Sequence, residues 1–162
     1  MAGAERVFVG LGANLGDAAA NVRVALAQFA ELPQTSLVAA SSLYRSAPRD
    51  ATGPDYINAV AELRSSLAPE ALLAELQALE QRHGRQRPYH HAPRTLDLDL
   101  LLYGERKIAT SALTLPHPRM HLRAFVLAPL AELAPAWRLA DGRAVVAALA
   151  ALPDQRIERI DA

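Results

Sequence analysis

The chain has 162 residues, a mass of 17.4 kDa and no formal net charge, with 51% of residues hydrophobic and 21% charged. That length suits one domain over 1–162 with a sizeable core, and the mixture excludes a disordered chain. No apolar run reaches a membrane span, no signal peptide is expected, and the lack of cysteine excludes disulfides, thiolate metal sites and a cysteine nucleophile. A cytoplasmic protein that engages neither membrane nor nucleic acid is the expectation.

In chain order, residues 5–12 (E-R-V-F-V-G-L-G) read as a buried strand ending in glycines. Asp17 is placed to cap a helix running to about Leu32, whose Val22, Leu26 and Phe29 recur at helical spacing before Pro33 stops it. Residues 35–46 read as one strand and 56–64 as another, an antiparallel pair joined by a loop at 47–55. Pro69 and Gly84 bracket a helix with Leu72, Leu73, Leu76 and Leu79 as its core stripe. Residues 85–93 show no apolar periodicity and read as a loop, while 96–103 is the sharpest strand pattern in the chain. A helix over 121–133 interrupted at Pro129, a short alanine-rich helix over 143–152 and an edge strand over 156–160 complete the series. The intermixing favours an α+β sheet with helices packed on it over a doubly wound parallel sheet.

Neutrality conceals a local asymmetry. All the basic residues except Lys107 are arginine, and residues 81–94 hold Arg82, Arg85, Arg87 and Arg94 with His83, His90 and His91 and no acid. His117, Arg119, His121 and Arg123 form a second basic stretch. The alternatives are a GC-rich composition with solvated arginines or a local anion site; overall neutrality argues against a general nucleic-acid surface.

The strongest motif is R-T-L-D-L-D-L-L-L-Y-G at 94–104. On a strand, Asp97 and Asp99 project together about 7 Å apart, and Leu96, Leu98 and Leu100 face the other way. Two carboxylates so placed repel one another unless a cation lies between them, and hard oxygen ligands on a rigid element suit magnesium carrying phosphate oxygens. The plain alternative is an exposed acidic strand face. Arg85, Arg87 and Arg94 could clamp phosphates by forked hydrogen bonds, with His117 and Arg123 as a second set. G-L-G-A-N-L-G at 10–16 has the wrong spacing for a dinucleotide fingerprint and reads as a tight strand-to-helix turn; no P-loop or nucleophile elbow occurs. Tyr56 and Asn58 share a strand face and offer a ring and an amide to a flat heterocycle, with Phe125 as an opposing ring or all as core residues.

These segments resemble the 6-hydroxymethyl-7,8-dihydropterin pyrophosphokinase family. The resemblance rests on G-A-N-L-G-D (12–17), S-x-L-Y-R-S-A-P (41–48), D-Y-I-N-A (55–59), E-x-x-x-G-R-x-R (80–87), P-R-T-L-D-L-D-L-L-L-Y-G (93–104), L-P-H-P-R-M (115–120) and R-A-F-V-L-x-P-L (123–130), in family order. It implies a ferredoxin-like α+β sheet with helices on both faces. It also implies transfer of pyrophosphate from ATP to the pterin hydroxymethyl group, giving AMP and the pterin diphosphate in tetrahydrofolate biosynthesis. By the same resemblance Asp97 and Asp99 hold two Mg2+ ions. Glu80, Arg85, Arg87, Arg94, Leu100, Thr114, His117 and Arg123 serve ATP, with Arg85 and Arg94 in the catalytic set, and Ser46, Tyr56, Asn58 and Phe125 serve the pterin. The partners implied are small molecules, and the chain is expected to be a monomer. The family's loop tryptophan falls at His90 or His91, with Tyr89 as a further candidate for its packing, and Ala112 stands where a phosphate-contacting arginine is frequent, for which Arg106 or Arg119 is a candidate replacement. A nucleotide-binding regulatory module and a two-metal phosphodiesterase are the competing readings.

Overall fold

A computed structural model of the chain describes residues 3–47, 54–84 and 96–160. The first predicted strand is β1 (Glu5–Ala13), which alternates Val7, Val9, Leu11 and Ala13 on one face with Phe8, Gly10 and Gly12 on the other. α1 (Ala18–Phe29) follows, and Asp17 caps it by accepting the Ala20 N–H at 3.1 Å. β2 (Thr35–Ala40), β3 (Leu43–Ser46) and β4 (Tyr56–Ser65) lead to α2 (Pro69–Gly84) and β5 (Asp97–Tyr103). The chain continues through the short pair β6 (Ile108–Ala109) and β7 (Thr114–Leu115), a 3-10 turn (Met120–Leu122), α3 (Ala124–Leu133), α4 (Val145–Ala150) and β8 (Ile157–Ile160).

The main sheet runs β5–β1–β4–β3–β8, with β2 also on β4, and its pairs are antiparallel. β1 lies between β4 and β5, and β4 between β1 and β2, so α1 and α2 each join strands with one strand between them. That is the ferredoxin-like arrangement the resemblance implies. α1 and α2 bury Val22, Phe29, Leu72, Leu76 and Leu79 against Val9, Leu63 and Leu100 on one face of the sheet. α3 and α4 bury Leu127, Leu130, Val145 and Ala148 against Phe8, Val60 and Leu101 on the other. Leu76 is fully buried, so Leu76→Ala should cost about 2–5 kcal/mol, read as a lower denaturation midpoint in urea.

Three expectations are corrected. The strand over 35–46 is two, because β2 pairs with residues 61–65 of β4 and β3 with 56–58. Between them Ser41 exchanges hydrogen bonds with Val60, its N–H donating to the carbonyl and its Oγ accepting the amide, both at 2.9 Å. Glu132 of α3 accepts the Ser42 N–H at 3.1 Å and also receives the Ser42 and Tyr44 hydroxyls, which holds the break in place. Burial and this carboxylate push the Tyr44 phenol up to about 12. Second, Pro129 does not interrupt its helix: six of the ten residues of α3 are buried, an apolar gain that outweighs one lost hydrogen bond. The chain bends instead at Arg123, whose backbone is extended (φ −125°, ψ 106°). Third, β6 and β7 were not expected, since two-residue strands leave no periodicity to read.

Candidate functional site

The strands cross the sheet in rows. Asp97 of β5, Gly12 of β1 and Asn58 of β4 are register partners in one row, and Asp99, Gly10 and Val60 in the next. A carboxylate and a carboxamide therefore stand two strand spacings apart, roughly 10 Å, with only glycine between them. A cavity of about 590 Å³ opens over this floor. Gly10 and Gly12 are thus the end of the expected strand, and the turn into α1 comes after them; of the glycines in that run only Gly16 has a left-handed backbone (φ 60°). A Cβ on Gly12 would lie 3.3 Å from Asn58 Oδ1, whereas one on Gly10 would meet Leu101 at an ordinary 3.5 Å.

Asp97 and Asp99 both line the cavity, as the alternation predicts, while Leu98 and Leu100 are buried toward the α1–α2 core. The alternation lapses further on, where a bulge in β5 sends both Leu101 and Leu102 to the other core. The backbone N–H of His117 donates to the Leu101 carbonyl at 2.9 Å, so that region of β5 anchors the following arm. The imidazole Nδ1 accepts the Arg119 N–H at 3.2 Å, which leaves the proton on Nε2, 4.0 Å from Asp99 Oδ1. Burial holds His117 below its ordinary value; Asp99 opposes this, and Arg123 and Arg119 reinforce it. The side chain is therefore a neutral donor at pH 7. Arg123 precedes α3, lines the cavity, and lies 5.5 Å from the centroid of the Phe125 ring, within cation–π reach.

On the opposite rim Asn58 is 3% exposed and its Nδ2 donates to Ser46 Oγ at 2.7 Å, which points the amide oxygen toward Gly12. Tyr56 and Ser46 are register partners beside it, and Phe125 closes the wall from α3. A third wall comes from α2. Glu80 Oε2 accepts the Leu98 N–H at 2.7 Å, an amide on the outer edge of β5 between the two aspartates. Glu80→Leu removes that acceptor, and a loss of about 1–3 kcal/mol in unfolding free energy is expected from a thermal or urea transition.

The structure thus brings Ser46, Tyr56, Asn58, Glu80, Asp97, Asp99, Leu100, Thr114, His117, Arg123 and Phe125 to one cavity. Arg85, Arg87 and Arg94, with Tyr89, His90 and His91, lie outside the described residues. Arg106 is not among the residues lining the cavity; it pairs with Glu5 at 2.6 Å and stacks on Tyr103. Arg119 is exposed and does not line the cavity, although Ala112 does. Sequence reading missed Gly10, Gly12 and Gln77, and placed Leu73 in the core stripe although it is partly buried and lines the cavity. Leu73, Gln77 and Glu80 recur at four and three residues, one helical face, which was the available signal.

Among the described residues no group of three or more histidine, aspartate and glutamate side chains is placed to hold a metal. Two carboxylates on one strand face suit a hard divalent cation such as magnesium, which fills its remaining positions with water and ligand oxygens. The donor set fits magnesium in that form and does not suit a closed zinc site. No helix among the described residues is long and apolar enough to cross a membrane.

An α+β fold with paired aspartates, a neutral histidine and an arginine on one rim, and an amide and two rings on the other, suits an enzyme handling a metal-bound anion beside a flat heterocycle. Residues 8–135 match the family 7,8-dihydro-6-hydroxymethylpterin-pyrophosphokinase (HPPK). The chain belongs to this family. It is 49% identical over 157 residues to the 2-amino-4-hydroxy-6-hydroxymethyldihydropteridine pyrophosphokinase of Pseudomonas aeruginosa, covering 96% of this chain and 97% of that protein. The enzyme of the same name from Methylorubrum extorquens is 38% identical over 157 residues, covering 96% and 99%. The fold is similar to that in a crystal structure of Plasmodium falciparum HPPK-DHPS with pteroate, with a TM-score of 0.74 at 10% identity over 91% of this chain. This chain spans 44% of that longer one.

Proposed function

We propose that this cavity is where the chain carries out its family's reaction, transfer of pyrophosphate from ATP to the hydroxymethyl group of 6-hydroxymethyl-7,8-dihydropterin, yielding AMP and the pterin diphosphate. The observation that carries the reading is the row Asp97–Gly12–Asn58, which sets a metal-binding carboxylate and a ring-reading amide on opposite sides of a bare floor. Asp97 and Asp99 would hold two magnesium ions, which when bound neutralise phosphate charge and orient nucleophile and leaving group. Arg123 supplies a fixed positive charge to the phosphates and His117 a neutral N–H donor. Asn58, oriented by Ser46, offers the pterin paired donor and acceptor groups, and Tyr56 and Phe125 offer ring faces. Leu73, Leu98, Leu100 and Leu113 give an apolar wall for the nucleotide base, with Gln77 and Thr114 as polar edges. Arg85, Arg87 and Arg94 complete the phosphate set by family position, and the protein acts as a single domain.

ATP labelled separately at the α- and γ-phosphates tests this. Label from the γ position should appear in the pterin product and label from the α position in AMP. Formation of ADP with a pterin monophosphate contradicts the reading, and hydrolysis without any pterin requirement supports the phosphodiesterase alternative instead.

A further inference from the structure

The family match ends at residue 135, yet the chain beyond it returns to the site. Gln155 lies in the segment between α4 and β8, and its side chain reaches the start of α3. Its Oε1 accepts the Ala124 N–H at 2.8 Å and its Nε2 donates to the Leu122 carbonyl at 2.8 Å. One carboxamide thus grips the backbone on both sides of Arg123. The place matters because Arg123 is where the chain leaves the 3-10 turn and enters α3, and no side chain of its own caps the helix there. Ala124 carries one of the first amides of α3, which has no partner within the helix. With both flanking peptides tied, the extended backbone of Arg123 is held in one orientation. That orientation aims its guanidinium along Phe125 and into the cavity.

We propose that Gln155 is a positioning residue for the Arg123–Phe125 arm, acting through the backbone without touching substrate; this rests on the cavity reading given above. Gln155 is exposed, so its replacement spares the core. The carboxamide matches a donor and an acceptor at once, which glutamate cannot do: Gln155→Glu keeps the acceptor for Ala124 but sets a carboxylate against the Leu122 carbonyl.

Steady-state kinetics on the full chain test this, with Gln155→Ala, Gln155→Glu, Arg123→Ala and the Arg123→Ala/Gln155→Ala pair. Gln155→Ala should lower kcat/KM for ATP by about tenfold, carried mainly by KM, while the thermal midpoint falls by only a few degrees, as a lost helix cap implies. Gln155→Glu should fall between it and the wild type. In the Arg123→Ala background Gln155→Ala should cost nothing more in kcat/KM for ATP, since the arginine it positions is gone. Equal losses in both backgrounds, or a Gln155→Ala enzyme with unaltered KM, would overturn the inference while leaving the cavity reading standing. An Arg123→Ala enzyme with full activity would overturn both.

Discussion

Asp97→Asn and Asp99→Asn should each reduce pyrophosphoryl transfer by on the order of 10³-fold or more without unfolding the protein. The magnitude follows from losing a carboxylate ligand that concentrates positive charge on the phosphates, a contribution of several kcal/mol at about 1.4 kcal/mol per tenfold. Stability should behave in the opposite sense for Asp99→Asn. The two side chains share one face of β5 within about 7 Å, and Asp99 is 46% exposed, so it has no apolar packing role to lose. Removing the Asp99 charge relieves repulsion with Asp97 in the metal-free protein, and the thermal midpoint of Asp99→Asn should equal or exceed that of the wild type. Calorimetry without magnesium beside kinetics with it separates these effects. A variant that loses activity only because it unfolds would remove the metal-binding role.

Gly12→Val should raise the KM for the pterin by roughly 10²-fold while altering the KM for ATP much less. Even an alanine Cβ would sit 3.3 Å from Asn58 Oδ1, and the added methyls of valine fill the floor between Asn58 and Asp97. Asn58 cannot retreat easily, because it is 3% exposed and tied to Ser46 at 2.7 Å. Gly10→Ala provides the contrast. Its Cβ meets Leu101 at 3.5 Å, ordinary contact, and near-wild-type kinetics are expected. If both substitutions were silent, the floor would have no part in substrate binding.

The aspartates were readable because strand periodicity needs no partner: Asp97 and Asp99 two apart must share a face wherever β5 lies. The role of the glycines was not, because glycines ending a strand look the same whether they lead into a turn or leave a bare strip of sheet. Only the register, Gly12 between Asp97 and Asn58, distinguishes the two. The same reason explains the missed break at Ser41 and Ser42, which is set by how β4 divides its edge between β2 and β3. Pro129 misled in the other direction, since its local cost was visible and the burial of α3 was not. The partner of Arg106 was equally hidden, since Glu5 lies about a hundred residues earlier in the chain. Gln155 had no sequence signal at all: a glutamine outside any motif becomes legible only through the two backbone atoms it reaches.

Pterin-dependent release of AMP from ATP and magnesium, by the wild type and by Asp97→Asn, tests the central claim most directly. The account predicts AMP formation that requires the pterin in the wild type and is lost in the variant. ATP binding without AMP release in the wild type, or undiminished release by Asp97→Asn, would contradict it.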